Sequence, residues 1–168
     1  DVCAQDQLNA DRFIKLGAPP DRVQITGTMK FDTATVAQRV PGDAELAAAV
    51  GLKPGVEMIW VCGSTGPGEE EIVLDEYKAL LKRFAHLRLV LVPRHPERFD
   101  EVADLITRSG FPLVRRSDTK EKPAADDCRA GVLCPVVLGD TMGELRKFYS
   151  IADVVFVGRT LVDLGPRQ

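Results

Sequence analysis

With 168 residues, 45% of them hydrophobic and 28% charged, the chain has the make-up of an ordinary globular domain, long enough to bury a core. Its 22 basic residues against 25 acidic ones give a net charge of −3, so there is no basic excess of the kind a nucleic-acid binder shows. No apolar run approaches the length of a membrane-spanning helix.

Residues 6–16 read as a short helix stopped by Gly17, with Phe13 and Ile14 as its buried points. Residues 23–26 form a brief strand. The pattern weakens over 33–41, which suits a linker, and Asp43 is placed to cap a small helix running to Val50. A regular alternation then begins. Residues 58–62 are a buried strand, followed by the glycine-rich turn 63–68. Glu69, Glu70 and Glu71 open a helix, where acidic side chains suit the dipole, and its apolar face is Val73, Tyr77, Leu80, Leu81 and Phe84. Residues 87–92 are a second strand, apolar enough to be buried on both faces. Pro93 ends it, Arg94 and His95 follow, and Pro96 leads into a helix with the stripe Phe99, Val102, Ala103 and Ile106. Residues 112–116 read as a strand nearer an edge, with Arg115 and Arg116 on its solvated side, and 117–129 as a surface loop. A strand over 136–138, a helix over about 142–151 and a strand over 154–157 complete the series. Short connections and near-continuous apolar strands predict an α/β fold with a doubly wound, parallel, Rossmann-like sheet.

In such a sheet the ligand lies outside the carboxyl ends of the strands. The loops there are 63–68, 93–96, 139–144 and the stretch from Gly158 onward. The first has no G-K-[ST] ending and is no P-loop; it reads either as a flexible turn or as a place where Ser64, Thr65 and backbone N–H groups touch a substrate. Arg94, between a strand end and a helix start, suits an anion, with a surface ion pair to Glu97 as the alternative. Thr141-x-x-Glu144 has the form of a capping box. That leaves Gly143 unexplained, a poor helix former in a first turn, as if something needed the space. A zinc site is not expected: Cys3, Cys62, Cys128 and Cys134 show no C-x-x-C spacing, and the histidines are His86 and His95. Cys62 reads as a small buried hydrophobe, and reduced thiols fit best.

The motifs Val92-Pro93-Arg94-His95-Pro96-Glu97-Arg98-Phe99 and Gly139-Asp140-Thr141-Met142-Gly143-Glu144-Leu145 closely resemble those of the 3-deoxy-D-manno-octulosonic acid (Kdo) transferases. Gly27-Thr28-Met29-Lys30-Phe31-Asp32, Gly63-Ser64-Thr65, and Ala152-Asp153 through Gly158-Arg159-Thr160-Leu161-Val162 are similar to the family's other signatures, in the same order. The resemblance covers nearly the whole chain. It implies a GT-B glycosyltransferase, two Rossmann-like domains with the active site between them. Residues 1–32 would be the end of the N-terminal acceptor domain, 33–50 an interdomain linker and short helix, and 51–168 an incomplete C-terminal domain for the donor. Family members transfer Kdo from its cytidine monophosphate (CMP) donor to lipid A precursor (lipid IVA) in lipopolysaccharide synthesis, at the cytoplasmic face of the inner membrane. They need no metal and no cofactor, CMP-Kdo being a substrate. Carried over by position, Pro93, Arg94, Met142, Gly143 and Glu144 are the expected CMP contacts, and Lys30 the expected transition-state stabiliser. The implied partners are CMP-Kdo, the lipid A precursor, and the membrane surface through an N-terminal region this sequence does not contain.

Three departures accompany the resemblance. The family's general-base glutamate belongs to a region absent here. Gly66 stands where the family usually has histidine. After Gly165 the family continues Gly-His-Asn-Pro-Leu-Glu, whereas this chain ends Pro166-Arg167-Gln168. With Asp1 rather than Met at its start, the chain is expected to be a fragment that is inactive alone. Two other readings remain open: a GT-B enzyme like the nucleotide-sugar 2-epimerases, and an α/β binding module without chemistry.

Overall fold

The computed structural model of the protein describes residues 1–27, 39–120 and 133–162. The chain divides into two compact units, Asp1–Ala37 and Gln38–Gln168.

The first unit holds β1 (Val2–Ala4), α1 (Gln7–Lys15), a 3-10 turn at Pro20–Arg22, and β2 (Val23–Ile25), with β1 and β2 paired in parallel. Asp6 caps α1: its carboxylate accepts the Asn9 N–H at 2.8 Å. The buried residue of α1 is Ala10, whereas Phe13, expected inside, is 40% exposed. One helix against two three-residue strands offers too little cover for an aromatic ring.

The second unit carries the regular fold. Its elements are α2 (Asp43–Ala49), β3 (Met58–Thr65), α3 (Glu69–Leu80), β4 (Leu87–Pro93), a 3-10 turn at Pro96–Arg98, α4 (Phe99–Arg108), β5 (Leu113–Arg115), a 3-10 turn at Asp118–Lys120, β6 (Val136–Leu138), α5 (Leu145–Ser150) and β7 (Val154–Val157). The strands form one sheet in the order β5-β6-β4-β3-β7, and every pairing is parallel. This is the doubly wound sheet the alternation predicts. The period of two along each strand sorts the core. Leu87, Leu89, Leu91, Val136 and Leu138 face α3 and α4, packing with Val73, Leu74, Tyr77, Val102 and Ile106. Ile59, Val61, Val90, Val92 and Val137 face the other way, against Leu46, Val50, Phe148 and Ile151 of α2, α5 and their ends. Cys62 is fully buried in the first of these layers, as a small apolar side chain would be. Cys134 is disulfide-bonded, which departs from the expectation of reduced thiols.

The helix α2, expected as a short helix after the linker stretch, packs into this core. Leu46 and Ala47 are buried, and the Asp43 carboxylate fastens the helix to its surroundings. That carboxylate accepts from Arg39 at 2.9 Å through two nitrogens, from the Val40 N–H at 3.1 Å and from the Ser150 hydroxyl of α5 at 2.9 Å. The cap position itself belongs to Gly42, at φ +81°. β4 is buried at all seven positions, Arg88 included. Its guanidinium is matched by Glu57 at 2.7 Å and the Gly51 carbonyl at 3.2 Å, the pairing a charge needs inside a sheet. At the far edge Val154 and Val157 of β7 are about half exposed.

Gly158, where β7 ends, is dictated by packing. A Cβ there would lie 2.5 Å from the Thr65 Cα, 2.6 Å from the Ser64 carbonyl and 2.7 Å from Glu69 Oε2. Two of those neighbours are backbone and cannot swing aside. Gly158→Ala is expected to lower unfolding free energy by about 1–3 kcal/mol in a urea titration. An unchanged midpoint would show that β7 can shift away from β3 at no cost.

Candidate functional site

The sheet order places β4 beside β6, and the chain leaves these neighbours in opposite directions. After β4 it passes to α4 on one face, and after β6 to α5 on the other. Such a divergence opens a crevice at the carboxyl ends, the usual ligand position in open α/β sheets. A cavity of about 450 Å³ lies there. Its walls come from three strand ends: Ser64 from β3, Pro93 and Arg94 from β4, and Thr141, Met142 and Gly143 from the loop after β6. Sites for small ligands are typically about 300–1,000 Å³.

Ser64 is aimed into the cavity by a bulge. Gly63 pairs with Val92 and Thr65 with Pro93, so Ser64 is an extra residue in the ladder, and its φ is +56°. Left-handed backbone is uncommon for a residue with a Cβ, and bulges recur next to sites because they redirect a side chain. The glycine before it allows this: a Cβ on Gly63 would collide with the Tyr149 hydroxyl and lie 2.7 Å from Leu145 Cδ1.

Arg94 is tied through its backbone, its N–H donating to the Thr65 carbonyl at 3.1 Å. Its guanidinium makes no ion pair or side-chain hydrogen bond with the described residues. Glu97, the alternative partner, lies instead 3.7 Å from His95 Nδ1. Met142 is 72% exposed at the rim. Gly143 has φ +82°, and a Cβ on it would meet nothing within 4 Å. The glycine therefore serves backbone conformation, not the space that its position in the sequence suggests. That turn also keeps the helix from starting at Met142: α5 begins at Leu145 and runs six residues. No capping box forms: the N-cap position falls to Glu144, which makes no side-chain cap hydrogen bond, and the Thr141 hydroxyl donates to the Glu144 carboxylate.

Pro93, Arg94, Met142 and Gly143 are thus brought together around one cavity. Glu144 is not among its lining residues. Its carboxylate accepts from Arg116 Nε at 3.0 Å and Nη2 at 3.1 Å and is 3.4 Å from Lys147. Burial alone would raise the Glu144 pKa, but the hydrogen bonds from Arg116 and Thr141 outweigh it and bring the carboxyl from 4.5 to about 2. Arg115 and Arg116, read from sequence as a solvated edge, are both engaged, Arg115 with Asp140 and with Asp100 at 2.7 Å each. Lys30, the expected transition-state stabiliser, lies outside the described residues. Among the described residues no cluster of His, Cys, Asp and Glu could hold a metal ion.

Two residues that hold the loops of the site in place escape sequence reasoning. Glu69 is fully buried, and its carboxylate accepts four backbone N–H groups: Gly66 at 2.8 Å, Arg159 at 2.6 Å, Thr160 at 2.8 Å and Leu161 at 3.1 Å. Burial opposes its ionisation, and the four donors prevail, leaving its pKa below the ordinary value. Glu70, equally buried, takes two bonds from Arg98 at 2.7 and 3.1 Å. Apart from Gly66, their partners lie 28 or some 90 residues away, so the local pattern shows only acids at a helix start.

The Glu144 shift carries a pH dependence. The folded pKa lies below the unfolded one, so the stabilisation is complete above about pH 4.5 and disappears as pH falls toward 2. Glu144→Gln is expected to flatten the loss of stability across that window in denaturant titrations at a series of pH values. An equal slope in the variant would mean that Arg116 does not hold the carboxylate in solution.

Comparison with known proteins follows the same line. Residues 1–33 match the family model described as 3-Deoxy-D-manno-octulosonic-acid transferase (kdotransferase). The chain is 40% identical over 164 residues to the 3-deoxy-D-manno-octulosonic acid transferase of Haemophilus influenzae, covering 98% of this chain and 36% of that protein. It is 34% identical over 167 residues to the enzyme of the same name from Bordetella pertussis, again 98% of this chain and 36% of the relative. The chain therefore spans about a third of the length of these curated relatives. Its fold matches the C-terminal CMP-Kdo binding domain of WaaA from Acinetobacter baumannii at 32% identity and a TM-score of 0.58, over 73% of this chain and 58% of that one. Strand order, motifs and kinship converge, and the chain belongs to the 3-deoxy-D-manno-octulosonic acid transferase family.

Proposed function

We propose that this chain is the donor-binding portion of a glycosyltransferase that moves Kdo from CMP-Kdo to a lipid A precursor. The observation that carries the reading is Arg94, a guanidinium with no ion pair among the described residues, on a cavity at the divergence of β4 and β6. In this reading the CMP phosphate sits against Arg94 and the Ser64 hydroxyl, and the pyrimidine end reaches toward Met142 and Gly143. The related domain from Acinetobacter baumannii is a CMP-Kdo binding domain, which supports the choice of nucleotide.

The chemistry follows from the leaving group. Breaking the bond between the sugar and CMP leaves charge on a phosphate monoester, and fixed positive charge aimed at that oxygen lowers the barrier. Arg94 supplies it from this unit. Lys30 is the second positive group by family position, and the reaction proceeds without a metal or a cofactor. Glu144 acts through position: with Arg116 it fixes the turn that carries Met142 and Gly143. The acceptor and the contact with the cytoplasmic face of the inner membrane belong to the whole protein, of which this chain is a part. Among the described residues no helix is long and apolar enough to cross a membrane.

Calorimetric titration of the chain with CMP and with uridine diphosphate tests the reading. CMP is expected to bind preferentially. Arg94→Ala should weaken it by about tenfold or more, the value of a hydrogen bond to a charged group. A preference for uridine diphosphate, or CMP affinity indifferent to Arg94→Ala, would overturn it.

A further inference from the structure

A second cavity of about 290 Å³ shares Arg94 and His95 with the first and is otherwise walled by Thr65, Gly66, Pro67, Arg98 and Arg159. Two of its walls hold orphaned donors. Thr65 is fully buried, and its hydroxyl has no hydrogen-bond partner among the described residues. Arg98 is 8% exposed, and its Nε is likewise unpartnered. Folded proteins seldom leave a buried polar group unpaired without a reason. Two such donors in one hollow call for an acceptor that the chain itself does not supply.

Charge identifies the acceptor. The carboxylates beside the wall residues are already engaged: Glu69 by four backbone N–H groups, Glu70 by both terminal nitrogens of Arg98, Glu101 by Arg98 Nη2 at 3.1 Å, and Glu97 3.7 Å from His95. Arg94 and Arg159 carry guanidiniums without an ion pair among the described residues. Arg159 is turned out of the strand by a φ of +70°, held there because its own N–H is committed to Glu69. The uncommitted charge around the hollow is positive, and the orphaned groups in its wall can donate. Guanidinium and hydroxyl donors converging in this way match a carboxylate.

We propose that this hollow binds the carboxylate of an acidic sugar whose nucleotide occupies the neighbouring cavity. The proposal rests on the nucleotide reading above and extends it. In a glycosyl phosphate of a 2-ulosonic acid, the anomeric carbon carries both the phosphate oxygen and the carboxyl group. The two anions are then close neighbours, and adjoining cavities with one shared arginine suit such a pair. Arg94 faces the phosphate on one side and the sugar acid on the other. Discrimination against neutral nucleotide sugars comes from Thr65, Arg98 and Arg159, since a neutral sugar leaves their donors unpaired.

The chain can be titrated with free Kdo, with the methyl ester of Kdo and with CMP, each followed by amide chemical shifts in the unaltered protein, Arg159→Ala and Thr65→Val. Neither substitution touches the nucleotide cavity, and the dispersed amide spectrum reports that each variant is folded. Kdo is expected to shift Thr65, Gly66 and Arg159, and its affinity should fall about tenfold in Arg159→Ala and about threefold in Thr65→Val. The ester should bind no better than the weaker variant binds Kdo, and CMP affinity should be the same in all three proteins. Kdo binding that ignores both substitutions, ester binding equal to that of Kdo, or no binding of Kdo by the unaltered chain would each overturn the proposal. Loss of CMP binding alone, with the Kdo shifts intact, would instead overturn the nucleotide reading.

Discussion

Two consecutive buried carboxylates, Glu69 and Glu70, tie the carboxyl edge of the sheet together. β3 lies between β7 and β4, and the helix that follows it begins with one anchor for each side. Glu69 gathers the N–H groups of the segment after β7 and of Gly66 in its own turn. Glu70 grips Arg98 in the turn after β4. Neither charge could be buried unpaired, since breaking such a pair costs about 3–5 kcal/mol. The hydrogen bonds that make burial tolerable also fix three loops in relation to one another. The bulge at Ser64, the position of Arg94 and the left-handed turn of Arg159 all depend on this arrangement.

A similar arrangement holds the other side of the crevice. Asp140 at the end of β6 takes Arg115 and the Ser117 hydroxyl and N–H, and Glu144 takes Arg116. Acid from β6 thereby pairs with base from β5, and the loop 139–144 is braced from behind. The arginines engaged in bracing are Arg98, Arg115 and Arg116. Arg94 and Arg159, at the strand ends, make no ion pair among the described residues, and both line a cavity. That division between structural and available charge is what marks the edge as a place for an anionic ligand.

The layered fold was legible because buried parallel strands announce themselves locally. Val136–Leu138 and Val154–Val157 could be read to the residue from their apolar runs and turn formers. Arg94 was legible as well, since its place after a strand and before a turn follows from Pro93 and Pro96. What the sequence hid is long-range or conformational. The roles of Glu69 and Glu70 lie in partners distant along the chain. Arg115 and Arg116 look solvated until β5 is laid beside β6. Gly143 suggested a need for room, whereas its φ shows a need for left-handed backbone, and that same turn delays the start of α5 to Leu145. The helix α2 was legible as a short helix starting near Asp43, but seven residues rich in alanine carry little periodicity, so its packing against Phe148 and Ile151 was not.

In the proposed reading the divergence of β4 and β6 holds a nucleotide by its phosphate, with Arg94 as the anchor. A crystal structure of the chain with CMP tests this most directly. The phosphate is expected in contact with the Arg94 guanidinium and the Ser64 hydroxyl, with the rest of the nucleotide extending over Met142 and Gly143. CMP bound away from the strand ends, or bound there with Arg94 turned to solvent, would contradict it.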